Sequence, residues 1–386
     1  MDELINSTVN NIKLSGIRKF FNLVNEKDGI LSLTIGQPDF TTPSIVKQDA
    51  IQAIEQNKTT YTSNAGLPEL RQAVSDYMNE KYKINYDKEH ILITVGASQA
   101  IDIACRTILS SGDEVILPDP VYPGYQPLIE LAGATPIHVD TTNTNYKLTA
   151  SLIESHINDK TKCVILPYPS NPTGVSLSED ELREIANLIQ KYDIYLITDE
   201  IYSALTYEDE HFSIAQIDSI KDRVIVINGL SKSHAMTGWR IGFLLAPEHL
   251  ATHFTKVLQY NVSCASSISQ YAALSAVTKA KNQPDVMKES YRKRRDYVLE
   301  RLHQMGIKTV YPDGAFYVMF ALSTEKSTFD LALDLVESAQ LALVPGDAFG
   351  QAGEGLLRLS YAYSMETLKT GLDRLATYVE INNNQS

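Results

Sequence analysis

The stretch VIVINGLSKSHAMTGWRIG, Val224 to Gly242, sets an apolar run of strand character directly before a turn that carries Lys232. In a sheet wrapped by helices, ligands gather beyond the carboxyl ends of the strands, so this lysine stands where chemistry is expected. Ser231, Ser233 and Thr237 surround it and Arg240 follows eight residues on. An amine able to form a Schiff base, beside a guanidinium that holds an anion, fits that pattern. A lone lysine is far more often a solvated surface group, so the reading depends on the rest of the chain.

Outward from this point the same order recurs. Strands are expected at His90–Val95, Glu114–Leu117, Thr135–Val139, Lys162–Leu166, Ile194–Thr198 and Arg223–Ile227, with helical runs through Leu128–Leu131 and over Glu179–Lys191 between them. That alternation predicts an α/β fold with a mostly parallel central sheet. After Pro284 the texture changes to a long charged helix, Val286–Met305. Strand-like segments at Ala315–Phe320, Leu341–Val344 and Leu356–Ser360 follow, with a helix near Phe329–Ala339 and another from Met365. A second, smaller α+β layer is expected there.

Three loops beyond strand ends reinforce the lysine. Gly96-Ala97-Ser98 opens a helix, where free N–H groups and the helix dipole favour a phosphate; a plain tight turn with Ser98 as N-cap would look the same. TDEIYS places Asp199 and Tyr202 after an apolar strand. A carboxylate against a pyridinium nitrogen would keep that ring an electron sink, whereas the bland alternative is a helix cap and a core tyrosine. YPSNPTG, Tyr168 to Gly174, holds the Asn171 amide between two prolines in a stiff loop.

The chain has 386 residues and a formal charge of −13, which opposes a nucleic-acid backbone. Hydrophobic residues at 44% are ample for a core. Three widely spaced cysteines, Cys105, Cys163 and Cys264, suit a reducing compartment, and no apolar run approaches the roughly 20 residues that cross a bilayer, so a cytoplasmic protein without a membrane partner is expected. His249 and His253 lack the glutamate placement of a zinc-protease helix, so no metal site is expected, and His234 reads as structural.

Together GLSKSHAMTGWRIG, YPSNPTG, TDEIYS and GASQA resemble the class I/II aminotransferases of fold type I, which use pyridoxal 5′-phosphate, over nearly the whole chain. The resemblance implies that Lys232 is the Schiff-base lysine, Asp199 the partner of the pyridine nitrogen, and Asn171 and Tyr202 the donors to the ring's phenolic oxygen. It implies phosphate binding by Arg240, Ala97, Ser98 and Ser231, and stacking of Tyr122 on the ring. Gly36 in TIGQPDF resembles the substrate loop and Arg358 in GLLRLSYA the clamp of the amino acid's α-carboxylate, and Asn171 is expected to contact the substrate as well as the cofactor. Tyr61 resembles a tyrosine that reaches the phosphate of a neighbouring subunit, which implies a homodimer with shared sites. Gly229 departs from the pattern: many relatives carry a phosphate-binding serine there, so that contact is absent or comes from backbone.

The fold so implied has a large cofactor domain over residues 41–284. A smaller domain is built from both chain ends, 1–40 as arm and first part and 285–386 as the remainder. SLTIGQPDF, INGLSKSHAMTGWRIGF and QYNVSCASSISQ are similar to the aminotransferase A group of Gram-positive bacteria, some of whose members are named N-acetyl-L,L-diaminopimelate aminotransferases. The implied activity moves an amino group from an L-amino acid to a 2-oxo acid in a ping-pong cycle, with glutamate and 2-oxoglutarate as one pair and N-acetyl-L,L-diaminopimelate as a candidate for the other. A C–S β-lyase on the same fold and a non-catalytic pyridoxal-phosphate-binding regulator are the rivals.

Overall fold

The computed structural model describes residues 4–14, 16, 20–21, 24 and 27–383. Its strands are, in chain order, β1 (Leu31–Ser32), β2 (Ile91–Thr94), β3 (Glu114–Asp119), β4 (Thr135–Asp140), β5 (Thr161–Leu166), β6 (Tyr195–Asp199) and β7 (Val224–Gly229). They continue with β8 (Gly242–Leu245), β9 (Tyr317–Phe320), β10 (Leu341–Ala342), β11 (Val344–Pro345) and β12 (Leu357–Ser360). Seven of them form the central sheet in the order β2-β8-β7-β6-β5-β3-β4. Every neighbouring pair from β7 across to β4 is parallel, and β8 alone runs antiparallel, between β2 and β7.

β2, β7 and β8 are buried along their whole length, as strands covered by helices on both faces must be. One face carries a core around Ile93, Val164, Leu196 and Val226, and the other a core around Leu92, Val115, Ile165 and Ile225. The helix Glu179–Ile189 illustrates why its sequence coils: Ser178 and Glu181 form a reciprocal capping box, and Leu182, Ile185 and Ala186 share the inward face.

A third apolar cluster joins the two chain ends. Phe20, Val24 and Leu33 pack with Leu331, Leu335, Leu357 and Leu372, and Tyr202, Leu205 and Tyr207 enter it from the middle of the chain. β1 pairs in parallel with β10, Leu31 opposite Leu341, and β11-β12-β9 make a separate antiparallel sheet. The single strand expected at Leu341–Val344 is therefore two, each serving a different sheet. Ser98 is no N-cap: the helix Gly96–Ile108 begins at Gly96, with Val95 at the cap position. Among the described residues no helix is long and apolar enough to cross a membrane.

Candidate active site

The carboxyl ends of the parallel strands converge on one crevice. β2 delivers Gly96, Ala97 and Ser98, β3 delivers Tyr122 and Tyr125, β5 Asn171, β6 Asp199 and Tyr202, and β7 Ser231 and Lys232. Because β8 runs the other way, its start lies at this same edge, and Arg240, two residues before it, joins the group. Gly36, after β1, and Arg358, on β12, close the crevice from the layer built by the chain ends. The result is a cavity of about 600 Å³.

At its floor Asp199 is buried, and its Oδ2 accepts a 2.8 Å hydrogen bond from the Tyr125 hydroxyl while Oδ1 accepts the Ile201 N–H. Burial raises the carboxyl to a pKa of about 6, against the pull of those two donors. Lys232 donates from Nζ to the Gly36 carbonyl at 2.6 Å. Burial, with the charges of Arg358 and Arg240 next in weight, lowers its pKa to about 8, so at neutral pH an appreciable fraction is the free amine that can bond to carbon or take a proton.

Arg240 occupies a left-handed backbone position, φ +52°, and its side chain lies where residue 96 has none: a Cβ on Gly96, itself at φ +75°, would sit 2.4 Å from Nη2. Gly242 likewise lets β8 approach, since a Cβ there would lie 2.4 Å from the Gly96 carbonyl carbon. Two glycines thus hold a guanidinium against the amino end of a 13-residue helix, an arrangement with both a fixed charge and unpaired N–H groups for an anion.

Arg358 is buried between two rings, 4.3 Å from the centre of Tyr317 and 4.7 Å from that of Phe349. It donates to Asn171 Oδ1 and to the Thr34 carbonyl, each at 2.7 Å, and its Nε has no partner. A buried guanidinium with a donor to spare is built to take up a carboxylate. The Tyr202 hydroxyl lies 2.8 Å from that of Tyr317.

All the predicted site residues except Tyr61 line this cavity. Tyr61 is on the surface of the chain, 87% exposed. Tyr125 and Tyr317 escaped the sequence reading. Tyr125 had a signal, three residues after Tyr122 in the same loop; Tyr317 reaches Tyr202 across 115 residues and had none. His234 is buried, its pKa lowered to about 4 by desolvation, with its ring against Tyr77.

Residues 28–375 match the family described as Aminotransferase class I and II. The chain is 57% identical over 381 residues to the "Probable N-acetyl-LL-diaminopimelate aminotransferase" of Bacillus subtilis, covering 98% of this chain and 96% of that protein. It is 39% identical to the "Aromatic-amino-acid aminotransferase 2" of Thermococcus litoralis, covering 94% of each. Among solved structures, the aspartate aminotransferase of Thermus thermophilus with maleate superimposes with a TM-score of 0.92 at 34% identity, over 97% of this chain and 99% of that one.

Proposed function

The chain belongs to the class I and II aminotransferases and is a pyridoxal-phosphate-dependent enzyme; from that premise we propose how its residues divide the work and which donor it takes. The cavity suits the cofactor: the Gly96–Arg240 cradle offers a phosphate seat, and Asp199 offers a buried carboxylate short of a cationic partner. When bound, pyridoxal phosphate supplies a carbon that takes up the amino group and a ring that spreads the negative charge left on the substrate's α-carbon.

Lys232 tethers the cofactor and afterwards carries the α-proton on Nζ, a role suited to an amine whose pKa is about 8. Asp199, oriented by Tyr125, keeps a positive charge on the ring nitrogen. Arg240, Ala97, Ser98 and Ser231 hold the phosphate, Tyr122 covers the ring, and Asn171 and Tyr202 donate to its phenolic oxygen. Arg358 holds the α-carboxylate of every amino acid that enters, beside Gly36. The observation that carries this reading is the convergence of Lys232, Asp199, Arg240 and Arg358 on one 600 Å³ cavity.

The donor is N-acetyl-L,L-diaminopimelate and the acceptor 2-oxoglutarate, a reading supported by the 57% identical relative of that name. The test is a panel of amino donors with 2-oxoglutarate: N-acetyl-L,L-diaminopimelate should give the highest kcat/KM. A preference for aspartate or an aromatic amino acid would overturn the donor, and pyruvate release from cystathionine without an acceptor would overturn transfer in favour of the lyase.

The working unit is a homodimer. Tyr61, in a loop, and Tyr260 and Val262, in the last turn of the helix Glu248–Val262, leave apolar surface exposed, the two segments joined by the Asn64 amide donating to the Ser263 carbonyl at 2.8 Å, and a second copy would cover them. Size-exclusion chromatography should give twice the chain mass, and Tyr61→Phe should weaken cofactor retention. The division at 40/41 and 284/285 into large and small domains belongs to the same reading, as does a cytoplasmic location, which the three unpaired cysteines support.

A further inference from the structure

Asp119, the last residue of β3, takes no part in the chemistry described above, yet its carboxylate is buried at the junction between the central sheet and the chain-end layer. Its own position is fixed from the sheet side. Its carbonyl accepts hydrogen bonds from the Thr141 N–H at 3.1 Å and the Thr141 hydroxyl at 2.8 Å, just beyond β4.

Its carboxylate faces the other way, into the hairpin loop that joins β11 to β12. Oδ2 accepts the Gln351 N–H at 3.2 Å, and a Cβ on Gly350, at φ +133°, would lie 1.9 Å from Oδ1. A second rung runs alongside, with the Val121 N–H donating to the Phe349 carbonyl at 2.8 Å. The loop is thus tied to the end of β3 by two adjacent hydrogen bonds, one of them charge-assisted.

What the loop carries is the Phe349 ring, buried and 4.7 Å from the Arg358 guanidinium. Arg358 itself sits on β12 opposite Val344 of β11, at the foot of the same hairpin. Untying the loop therefore frees one wall of the slot that keeps the guanidinium flat, while Tyr317 and the bonds to Asn171 and Thr34 remain.

We propose that Asp119 is a positioning residue for α-carboxylate recognition, which pins the 349–352 turn so that Phe349 holds the Arg358 fork in register. The proposal rests on the reading of Arg358 as the carboxylate clamp. Misplacement of a clamp by a fraction of an ångström acts on binding of the group it holds, and the α-carboxylate is common to every donor.

The test is steady-state kinetics of the cofactor-loaded enzyme with L-glutamate, L-aspartate and N-acetyl-L,L-diaminopimelate for Asp119→Ala, Asp119→Asn and Gly350→Ala, beside Arg358→Lys. Asp119→Ala should raise KM about tenfold for whichever donors the enzyme uses, by the same factor for each, with kcat changed less than about threefold and cofactor affinity intact. Asp119→Asn, which keeps the bulk, should shift KM in the same direction by less, and Gly350→Ala should repeat the effect from the loop side. A KM unchanged in the Asp119 variants while Arg358→Lys raises it would overturn the proposal alone. Unchanged KM in Arg358→Lys would overturn the clamp reading and this inference with it. A loss confined to kcat, to thermal stability or to a single donor would mark Asp119 as merely structural or as a side-chain contact.

Discussion

Tyr125→Phe removes one oxygen and, with it, the 2.8 Å hydrogen bond to Asp199 Oδ2. A hydrogen bond to a charged group is worth about 1.5–3 kcal/mol, which corresponds to roughly one to two pKa units. Asp199 in the cofactor-free protein already holds its proton up to about pH 6 because it is buried; without the tyrosine it should hold it to about pH 7–8. A carboxyl group whose pKa is higher folded than unfolded binds more protons in the native state, so stability falls as pH rises from the unfolded toward the folded value. In the variant that fall continues over the extra one to two units. The variant should lose an additional 1.5–3 kcal/mol or so between about pH 6 and 8, on top of any pH-independent loss. With an unfolding entropy of about 0.8 kcal/mol per kelvin for 386 residues, the gap in melting temperature between the apo forms should widen by roughly 2–4 °C from pH 5 to pH 8.5. Thermal scans of both proteins, freed of cofactor, at those two pH values measure it. A gap that stays constant with pH would refute the argument, because it would mean that Tyr125 does not stabilise the charged form of Asp199.

Lys232→Ala should lower kcat by at least roughly 10²–10⁴-fold and abolish the visible absorbance of the lysine-bound cofactor while leaving non-covalent binding, as absorbance spectra and activity assays would register. Gly96→Ala places a methyl group 2.4 Å from Arg240 Nη2 on a left-handed backbone; fluorescence titration should find cofactor affinity weakened about tenfold or more. In the apo protein, Lys232 should react with an amine-specific reagent with a midpoint near pH 8, well below that of exposed lysines, as peptide mapping of the label across pH would resolve.

The site was legible where its chemistry is local. Lys232 and Asn171 sit in short loops just after apolar strands and Asp199 is the last residue of one, so strand and candidate residue are read in one window, and the strands found there lie within a residue or two of those expected. Contacts between distant segments left no such trace. The union of β1 with β10 joins residues 310 positions apart, and Tyr317 meets Tyr202 across 115. β8 is only four residues long and reversed, so nothing in its sequence announces that it enters the sheet between β2 and β7. The helix Ser267–Thr278 was missed for another reason: Ala272, Ala273, Ser275, Ala276 and Val277 are all buried, which erases the one-sided pattern that a surface helix displays.

The charge balance of the cavity explains which ligands the fold can gather. The chain as a whole carries −13, yet the charged residues among the described lining of the cavity are Lys232, Arg240 and Arg358 against the single acid Asp199. Burial moves Asp199 and Lys232 each toward its neutral form, which leaves the two arginines as the dominant fixed charges, one at the helix end and one on β12. Arginine keeps its charge where lysine would surrender it, so the site retains two anion seats even when empty of ligand. One seat lies beside free helix N–H groups and the other is a stacked fork with an unpaired Nε. A phosphate suits the first and a planar carboxylate the second. With Lys232 lining the same cavity, a ligand that carries both a phosphate and a carboxylate is the one whose charges match the seats, and a nucleic-acid backbone would meet the repulsion of the remaining acidic surface.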